Sequence, residues 1–277
     1  MCPVFSRRGL RQNLGLRFLR DVVIGTTTGS WGTTTGSANI VDSAQADPTA
    51  SGEQLYQRHW LRLLGSVGFI QDLRVASFNT GSGAFFAAQT LATTIYSGMP
   101  FEVHALLSPS EKDRALDDAI RDVRYQEEVP IWAIDAGAVY TLPASVLDVI
   151  EAKYYSTPLG SLTRGEGALR WYDFESTGSG PELRISPSLS QSQQLIIDAI
   201  LCPTLGAGDL ATVNLPSEDW VLAGAAARCF WLLEARSPGQ ETGMYKEKRR
   251  EMARLATGLA ARFTPHYSRR IILDRPY

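Results

Sequence analysis

The hydrophobic period of this chain changes at Ser108, and that change limits the folds that the chain can adopt. Before it, Leu73–Phe78 alternates apolar and other residues, which is the period-two pattern of a half-buried strand. After it, apolar side chains recur at the spacing of one helix face, at Ala115, Leu116, Ala119, Ile120 and Val123. Strand and helix patterns in separate stretches of one chain predict an α+β fold.

The helix that follows this change has a well-defined start. Ser108 can cap it, Pro109 occupies the first helical position, and Glu111 can close a capping box. Three more helices are predicted from apolar periodicity: a basic one over Arg7–Arg20, an apolar one from Ser217 to Leu233, and one over Glu241–Phe263.

Two β-rich regions separate these helices. Short runs of strand composition between glycine-rich turns, as at residues 79–83 and 176–181, predict a small barrel or sandwich in each region. The strands predicted in the first region are Asn39–Val41, Trp60–Leu64, Asp72–Phe78, Ala84–Leu91 and Phe101–Leu107. Those predicted in the second are Val129–Ile134, Ala138–Leu142, Val149–Tyr155, Ala168–Phe174, Glu182–Ile185 and Leu195–Leu201.

The order of these elements predicts a domain organisation. Residues 1–20, 108–127 and 216–264 form a helical bundle core, into which a first β insertion (21–107) and a second (128–215) are placed. Residues 265–277 form an extended C-terminal arm, since Pro265 stops the last helix.

Composition excludes several classes of protein. The 27 basic and 29 acidic side chains give a formal net charge of -2, so we expect no broad cationic field for nucleic acid or membrane. No apolar run approaches the roughly 18 residues of a membrane span. The cysteines Cys2, Cys202 and Cys229 form no CxxC pair, which argues against a disulfide framework or zinc site. We expect a soluble protein in which Cys229 is a small core residue.

Motifs for catalysis are missing from the sequence. The histidines His59, His104 and His266 lie outside metal-ligand spacing, and no HExxH, GxSxG or GxGxxG is present. The direct repeat of Gly25–Ser30 at Gly32–Ser37 lacks the lysine of a phosphate-binding loop. It indicates a hairpin or a duplication by slippage, with an exposed loop that touches a neighbour as the alternative. Although a carboxylate pair distant in sequence stays open, we predict no enzyme, catalytic residue, metal or cofactor.

Three internal features leave alternatives open. The adjacent Asp117 and Asp118 point in different directions on a helix, which favours a solvated face or subunit contact over catalysis. The basic face of the last helix fits intrahelical pairs with Glu247 and Glu251, or binding of DNA or an acidic partner. An aromatic group fits a core or interface, or a sugar-binding platform: Tyr154, Tyr155, Trp171, Tyr172 and Phe174.

Several stretches follow one another in an order shared with one known family. Asp21–Thr26 and Ala38–Ser43 correspond to opening strands of a β insertion, and Asp72–Phe78 and Phe101–Ala105 to later ones. They are followed by a capped helix, an alanine-rich core helix and a last helix, over Leu107–Ile120, Leu215–Ala227 and Tyr245–Phe263. In this order, which covers nearly the full chain, they resemble the head–tail connector, or adaptor, proteins of tailed bacteriophages. Two sizeable β insertions depart from the smallest adaptors, which are mostly helical.

The resemblance implies a structural virion protein at the head–tail junction, assembled in the host cytoplasm. Such adaptors form rings, usually dodecameric, below the portal protein, and contact a tail nozzle or tube protein and in some cases tail fibres, while genomic DNA passes through the lumen; no membrane is involved. The basic-apolar tail would dock on the portal through Arg269, Arg270, Ile271, Ile272, Leu273 and Tyr277. The alternatives are packing of this tail on its own domain, another neck or tail component such as a fibre-attachment or tail-completion protein, and a carbohydrate-binding protein supported by the aromatics around Trp60 and Trp171.

Overall fold

The computed structural model of this protein has an α+β fold, which confirms the predicted fold class at that level. The chain divides into two units, residues 1–120 with 205–259 and residues 121–204 with 260–277. The division into a helical core with two insertions stays a prediction. The structure describes residues 3–29, 39–46, 56–65, 68–90, 94–132, 137–156, 165–168, 171–177, 180–189, 193–203, 206 and 208–263.

The first unit begins with a short strand and a helix that changes geometry midway. Strand β1 (Val4–Ser6) leads into helix α1 (Arg7–Asn13), where the Ser6 side chain accepts a hydrogen bond from the Gly9 amide. The predicted helix is thereby confirmed, but its second half, Leu14–Leu19, is π-helical and ends at Arg20, which has a φ of 54°. Leu10, Leu14 and Leu19, three of its predicted apolar positions, are buried.

Six antiparallel strands follow, in the spatial order β2-β7-β4-β5-β6-β3. Because the Thr28 amide donates to the Val41 carbonyl at 2.7 Å, the chain after β2 meets β3 and the sheet curls into a half-barrel. The aromatic side chains of Phe78, Phe85 and Phe101 fill its interior. The strands are β2 (Val22–Thr26), β3 (Asn39–Val41), β4 (Trp60–Gly65), β5 (Gly68–Asn79), β6 (Ala84–Ala87) and β7 (Pro100–His104). Strand β6 is shorter than the predicted Ala84–Leu91.

The turn predicted at residues 79–83 is confirmed between β5 and β6. Asn79 Oδ1 accepts from the Ser82 amide at 3.1 Å. Gly83 has a φ of +65°, and a Cβ there would overlap the backbone carbonyl oxygen of Asp42. Only glycine combines this backbone conformation with such a close approach.

Helix α2 (Pro109–Arg121) starts at the predicted capping box. Ser108 Oγ accepts from the Glu111 amide at 3.2 Å, and Glu111 Oε2 accepts from the Ser108 amide at 2.9 Å. Two backbone donors at the start of the helix are thus satisfied reciprocally, as the sequence predicted.

The second unit consists of two antiparallel sheets. One has the strand order β11-β10-β14-β8 and the other β12-β13-β9. The prediction of one strand over Ala168–Phe174 was wrong, because β11 and β12 lie in different sheets. The strands are β8 (Tyr125–Trp132), β9 (Gly137–Thr141), β10 (Val146–Ser156), β11 (Gly165–Ala168), β12 (Trp171–Thr177), β13 (Gly180–Leu189) and β14 (Gln193–Leu201).

The chain returns to the first unit through β15 (Thr212–Asn214), which pairs with β1, and then forms α3 (Glu218–Arg236) and α4 (Gln240–Ala260). Helix α3 is buried along most of its length, and Cys229 is fully buried in it as predicted. Trp231 departs from this pattern, with 54% of its surface exposed. None of the helices in the described ranges is long and apolar enough to cross a membrane.

Candidate functional site: a buried ionic network

Ionisable side chains from seven separate chain segments meet inside the first unit. They come from α1, the residue before β2, strands β4, β5 and β7, helix α2 and the loop before β15. We name this set the buried ionic network; it comprises Arg8, Arg11, Asp21, Arg62, Asp72, Glu102, His104, Lys112, Asp113 and Asp209. Four of its members, Arg11, Glu102, His104 and Lys112, have no exposed surface.

Arg11 of α1 is the centre of one half of the network. Its Nε lies 2.8 Å from Glu102 Oε2 and its Nη2 lies 3.1 Å from Oε1, so the guanidinium and the carboxylate form a bidentate pair. Arg11 also reaches Asp113 at 2.8 Å and Asp209 at 2.6 Å. Burial would lower the pKa of Arg11, but its hydrogen bond with Glu102 and the three surrounding carboxylates raise it further above its ordinary value.

A chain of hydrogen bonds extends from Glu102 in the other direction. His104 Nε2 lies 3.0 Å from Glu102 Oε2, and Lys112 Nζ lies 2.8 Å from His104 Nδ1 and 2.5 Å from Asp21 Oδ1. Because an ammonium group can only donate, Nδ1 must accept and the imidazole proton must sit on Nε2, facing Glu102. The contacts thus fix His104 as the neutral Nε2–H tautomer.

The pKa shifts in this chain agree with that geometry. Burial lowers the pKa of His104, and the positive charge of Lys112 lowers it further, against the opposing effect of Glu102. Burial alone would raise the pKa of Glu102, but hydrogen bonds from His104 and Arg11 outweigh burial and hold it well below its usual range. Burial also lowers the pKa of Lys112, although Asp21 opposes this.

Arg62 of β4 holds the other edge of the network. Its Nε and Nη2 pair with the two oxygens of Asp72 at 2.6 and 2.7 Å, and its Nη1 lies 2.6 Å from Asp113. Ser110 Oγ donates to Asp72 at 2.8 Å and accepts from Arg62 at 3.1 Å. Asp113 on α2 therefore bridges Arg62 of the half-barrel and Arg11 of α1.

Chemically, this arrangement locks segments together and presents little to a substrate. A catalytic acid or base must lie within hydrogen-bonding reach of the reacting group. Glu102, His104 and Lys112 instead direct their polar atoms at one another inside the protein. Among the described residues, no group of three or more histidine, cysteine or carboxylate side chains is placed to hold a metal ion.

Sequence reasoning missed this network, and strand β7 shows why. Glu102 and His104 alternate with Phe101 and Val103, which is the pattern of a strand with one buried and one solvent-exposed face. In the structure all four residues are buried, because Phe101 and Val103 join the half-barrel core while Glu102 and His104 contact α1 and α2. Two ionisable residues at i and i+2 in an otherwise apolar strand were the available signal.

The surface features predicted from the sequence have mixed outcomes. Asp117 lies 2.9 Å from Arg7 Nη1, an ion pair within the chain. The basic face of α4 contributes an interhelical pair, since Arg249 Nε lies 3.1 Å from Glu234 Oε2 on α3. Trp60 has the Arg74 guanidinium 4.1 Å over its ring centroid, so a cation occupies one face of the ring.

Other predicted residues fall outside the description. The side chains of Tyr154, Tyr155 and Trp171 are not among those described. The same holds for the whole C-terminal arm, with its proposed portal-binding residues Arg269, Arg270, Ile271, Ile272, Leu273 and Tyr277, so its role stays a prediction.

A second feature of the first unit is an open groove between α3 and α4. Its volume is about 450 Å³, and its lining includes the small or aromatic residues Gly224, Ala227, Trp231, Ala253 and Ala256. Arginine side chains also line it, from Arg228, Arg249 and Arg250. We name it the α3–α4 groove. Searches against models of known protein families and against curated proteins found no match to this chain.

Proposed function

We propose that this protein is a structural virion protein, a head-to-tail adaptor that forms a ring below the portal of a tailed bacteriophage. One observation carries the proposal: the buried ionic network, four of whose members have no exposed surface, joins distant chain segments inside the first unit. Ion pairs that join distant segments favour one arrangement of those segments, which suits a part that must keep its shape between two assemblies.

The energetic logic of the network supports a mechanical role. Removing charges from water costs several kcal/mol per ion, and pairing offsets that cost only when the geometry is good. Arg11 contacts partners on β7, α2 and the loop before β15, so it cannot keep its contacts if any of the three shifts. The network therefore favours one arrangement of these segments over neighbouring ones.

In this proposal, the helices build a helical-bundle core that surrounds the DNA channel of a dodecameric ring. The β regions project outward or toward the tail, where they contact nozzle or tube proteins or fibres. The C-terminal arm, residues 265–277, engages the portal. A tail-completion or fibre-attachment role is the alternative, and ring stoichiometry and position in a virion reconstruction separate the two.

The test of the portal assignment uses purified full-length chain and a chain ending at residue 264, each mixed with the portal protein of the same phage. Mass photometry should show a complex with the full-length chain only, and far-UV circular dichroism should show that both chains fold alike. Equal portal binding by the two chains would remove the arm from the proposal, and no binding by either would remove the adaptor function.

A further inference from the structure

The second half of α4 presents an apolar stripe that the described part of the chain covers only in part. Tyr245 is buried beside Phe230 of α3, with ring centroids 6.3 Å apart. Beyond it, no described residue of α4 is buried, and Leu255 keeps 41% of its surface exposed. An isolated helical segment is marginal in water and usually gains its stability from tertiary packing.

The α3–α4 groove takes Ala253 and Ala256 from this half of α4 and adds positive charge, although one of its arginines, Arg249, already pairs with Glu234. Trp231 lies half-exposed in its lining, and three arginines accompany the small side chains of Ala227, Ala253 and Ala256. Exposed tryptophan surrounded by arginine is the composition of a protein-binding hot spot. The occupant that this surface fits is an apolar side chain carried on an acidic surface.

The second unit carries a surface of that chemistry. Glu128, Asp198 and Glu151 lie opposite one another on the adjacent strands β8, β14 and β10, so their side chains emerge on the same face of the sheet. The residues that alternate with them, such as Ile197 and Ala199, are buried on the other face. The acidic row therefore lies on the more exposed face of this sheet, although Ile200, on the same face as Asp198, is buried.

Like charges placed directly opposite one another on a sheet are destabilising. Burial raises the pKa of Asp198, and repulsion from the neighbouring Glu128 and Glu151 raises it further, although a hydrogen bond with Gln126 opposes the shift. Lys153 pairs with Glu151 at 3.3 Å and offsets part of it. A cationic surface placed against the row would relieve the rest.

An exposed leucine lies on β10, four residues before Glu151. The register of β10 against β14 shifts between Val146 and Asp148, which leaves Leu147 as the extra residue of a β-bulge. Bulges redirect side chains, and Leu147 keeps 43% of its surface exposed beside the exposed Asp148. We name Leu147, Asp148, Glu128, Asp198 and Glu151 together the acidic knob.

We propose that the acidic knob of one copy of this protein docks into the α3–α4 groove of a second copy. The two surfaces are different, so the contact is heterologous and repeats from copy to copy, which generates rings when the rotation closes. The basic C-terminal tail of the chain does not suit the groove, because arginines would face arginines. This inference rests on the proposed ring-forming function and supplies its subunit contact.

The test measures the assembly state of the full-length chain by mass photometry and analytical ultracentrifugation. Wild type should assemble, and the concentration at half-assembly should rise with salt, because part of the attraction is between exposed charges. Two charge-reversed variants, Arg250→Glu in the groove and Glu128→Lys/Asp148→Lys in the knob, should each shift that concentration upward by about tenfold or more. Trp231→Ala should do the same without changing a charge.

Mixing supplies the decisive comparison. In an equimolar mixture of the two charge-reversed variants, the native knob of one variant can meet the native groove of the other, and the reversed knob can meet the reversed groove. When the variants alternate, opposite charges face each other at every junction, so assembly should return. Arg184→Glu, an exposed reversal on the other sheet of the second unit, is the matched control and should assemble like wild type. Far-UV circular dichroism and thermal unfolding confirm that each variant folds.

A monomeric wild-type chain, or reversed variants that assemble as well as wild type, would overturn the contact. So would reversed variants that stay monomeric when mixed. The adaptor function is tested separately. A chain that assembles but does not bind the portal would refute the adaptor function and leave the contact standing. A monomeric chain that binds the portal would refute the contact and leave the adaptor function standing.

Discussion

Replacing Glu102 by glutamine tests how much the buried ionic network contributes to stability. The carboxylate accepts four hydrogen bonds: Oε2 from Arg11 Nε and His104 Nε2 at 2.8 and 3.0 Å, and Oε1 from Arg11 Nη2 and Gln12 Nε2 at 3.1 and 2.9 Å. A glutamine has the same shape, but its amide group carries two hydrogens in place of one oxygen. Whichever way the amide turns, its NH₂ faces two donors and loses two hydrogen bonds.

The expected cost follows from these contacts. Removing one partner of a buried ion pair typically costs about 3–5 kcal/mol, because the other charge stays buried without compensation. Arg11 keeps Asp113 and Asp209, which places Glu102→Gln toward the lower end of that range. For a unit of this size the loss lowers Tm by roughly 6–20 °C, taking about 2–4 °C per kcal/mol.

The assay is urea unfolding followed by tryptophan fluorescence, with calorimetry to separate the transitions of the two units. Asp219→Asn is the matched control in the same unit, since it removes one carboxylate from a pair with Arg17 at 2.6 Å in which both side chains are about half exposed. Exposed pairs contribute about 0–1 kcal/mol. A Glu102→Gln variant no less stable than Asp219→Asn would refute the reasoning, because the network would then contribute no more than a surface pair.

Three further predictions concern the interior of the first unit. Since the pKa of His104 is lowered in the folded chain, the unfolded chain binds a proton that the folded chain does not, and the free energy of unfolding should fall as pH drops below about 6.5. In unfolding measured across pH, His104→Gln should reduce this fall in stability. An unchanged pH dependence would contradict the assignment. Gly83→Ala should destabilise by more than about 1 kcal/mol in thermal unfolding, because alanine combines an unfavourable φ with a backbone overlap, whereas Gly243→Ala, on an exposed position of α4 with open space around it, should not. Burial raises the pKa of the Cys229 thiol to about 12. In a chain with Cys2 and Cys202 replaced by serine, a thiol reagent should therefore label Cys229 only as fast as the first unit unfolds. Fast labelling of the folded chain would contradict this prediction.

The sequence by itself determined the elements whose causes are local. The capping box at Ser108 and Glu111 involves residues three positions apart, and the turn at residues 79–83 depends on one glycine and its neighbours. Helix faces and strand alternation likewise repeat within a few residues, so they could be predicted before any contact was known. The π-helical half of the first helix was not predictable in this way, because its periodicity still resembles that of an α-helix.

Tertiary structure alone decided the buried ionic network and the composition of the α3–α4 groove. Arg11 lies 91 residues from Glu102 and 102 from Asp113, and no local pattern marks them as partners. An arginine on a helix or a glutamate in a strand is ordinarily solvated. Whether such a side chain faces water or a second charge depends on which segments fold against it, and that is set by packing of the whole unit.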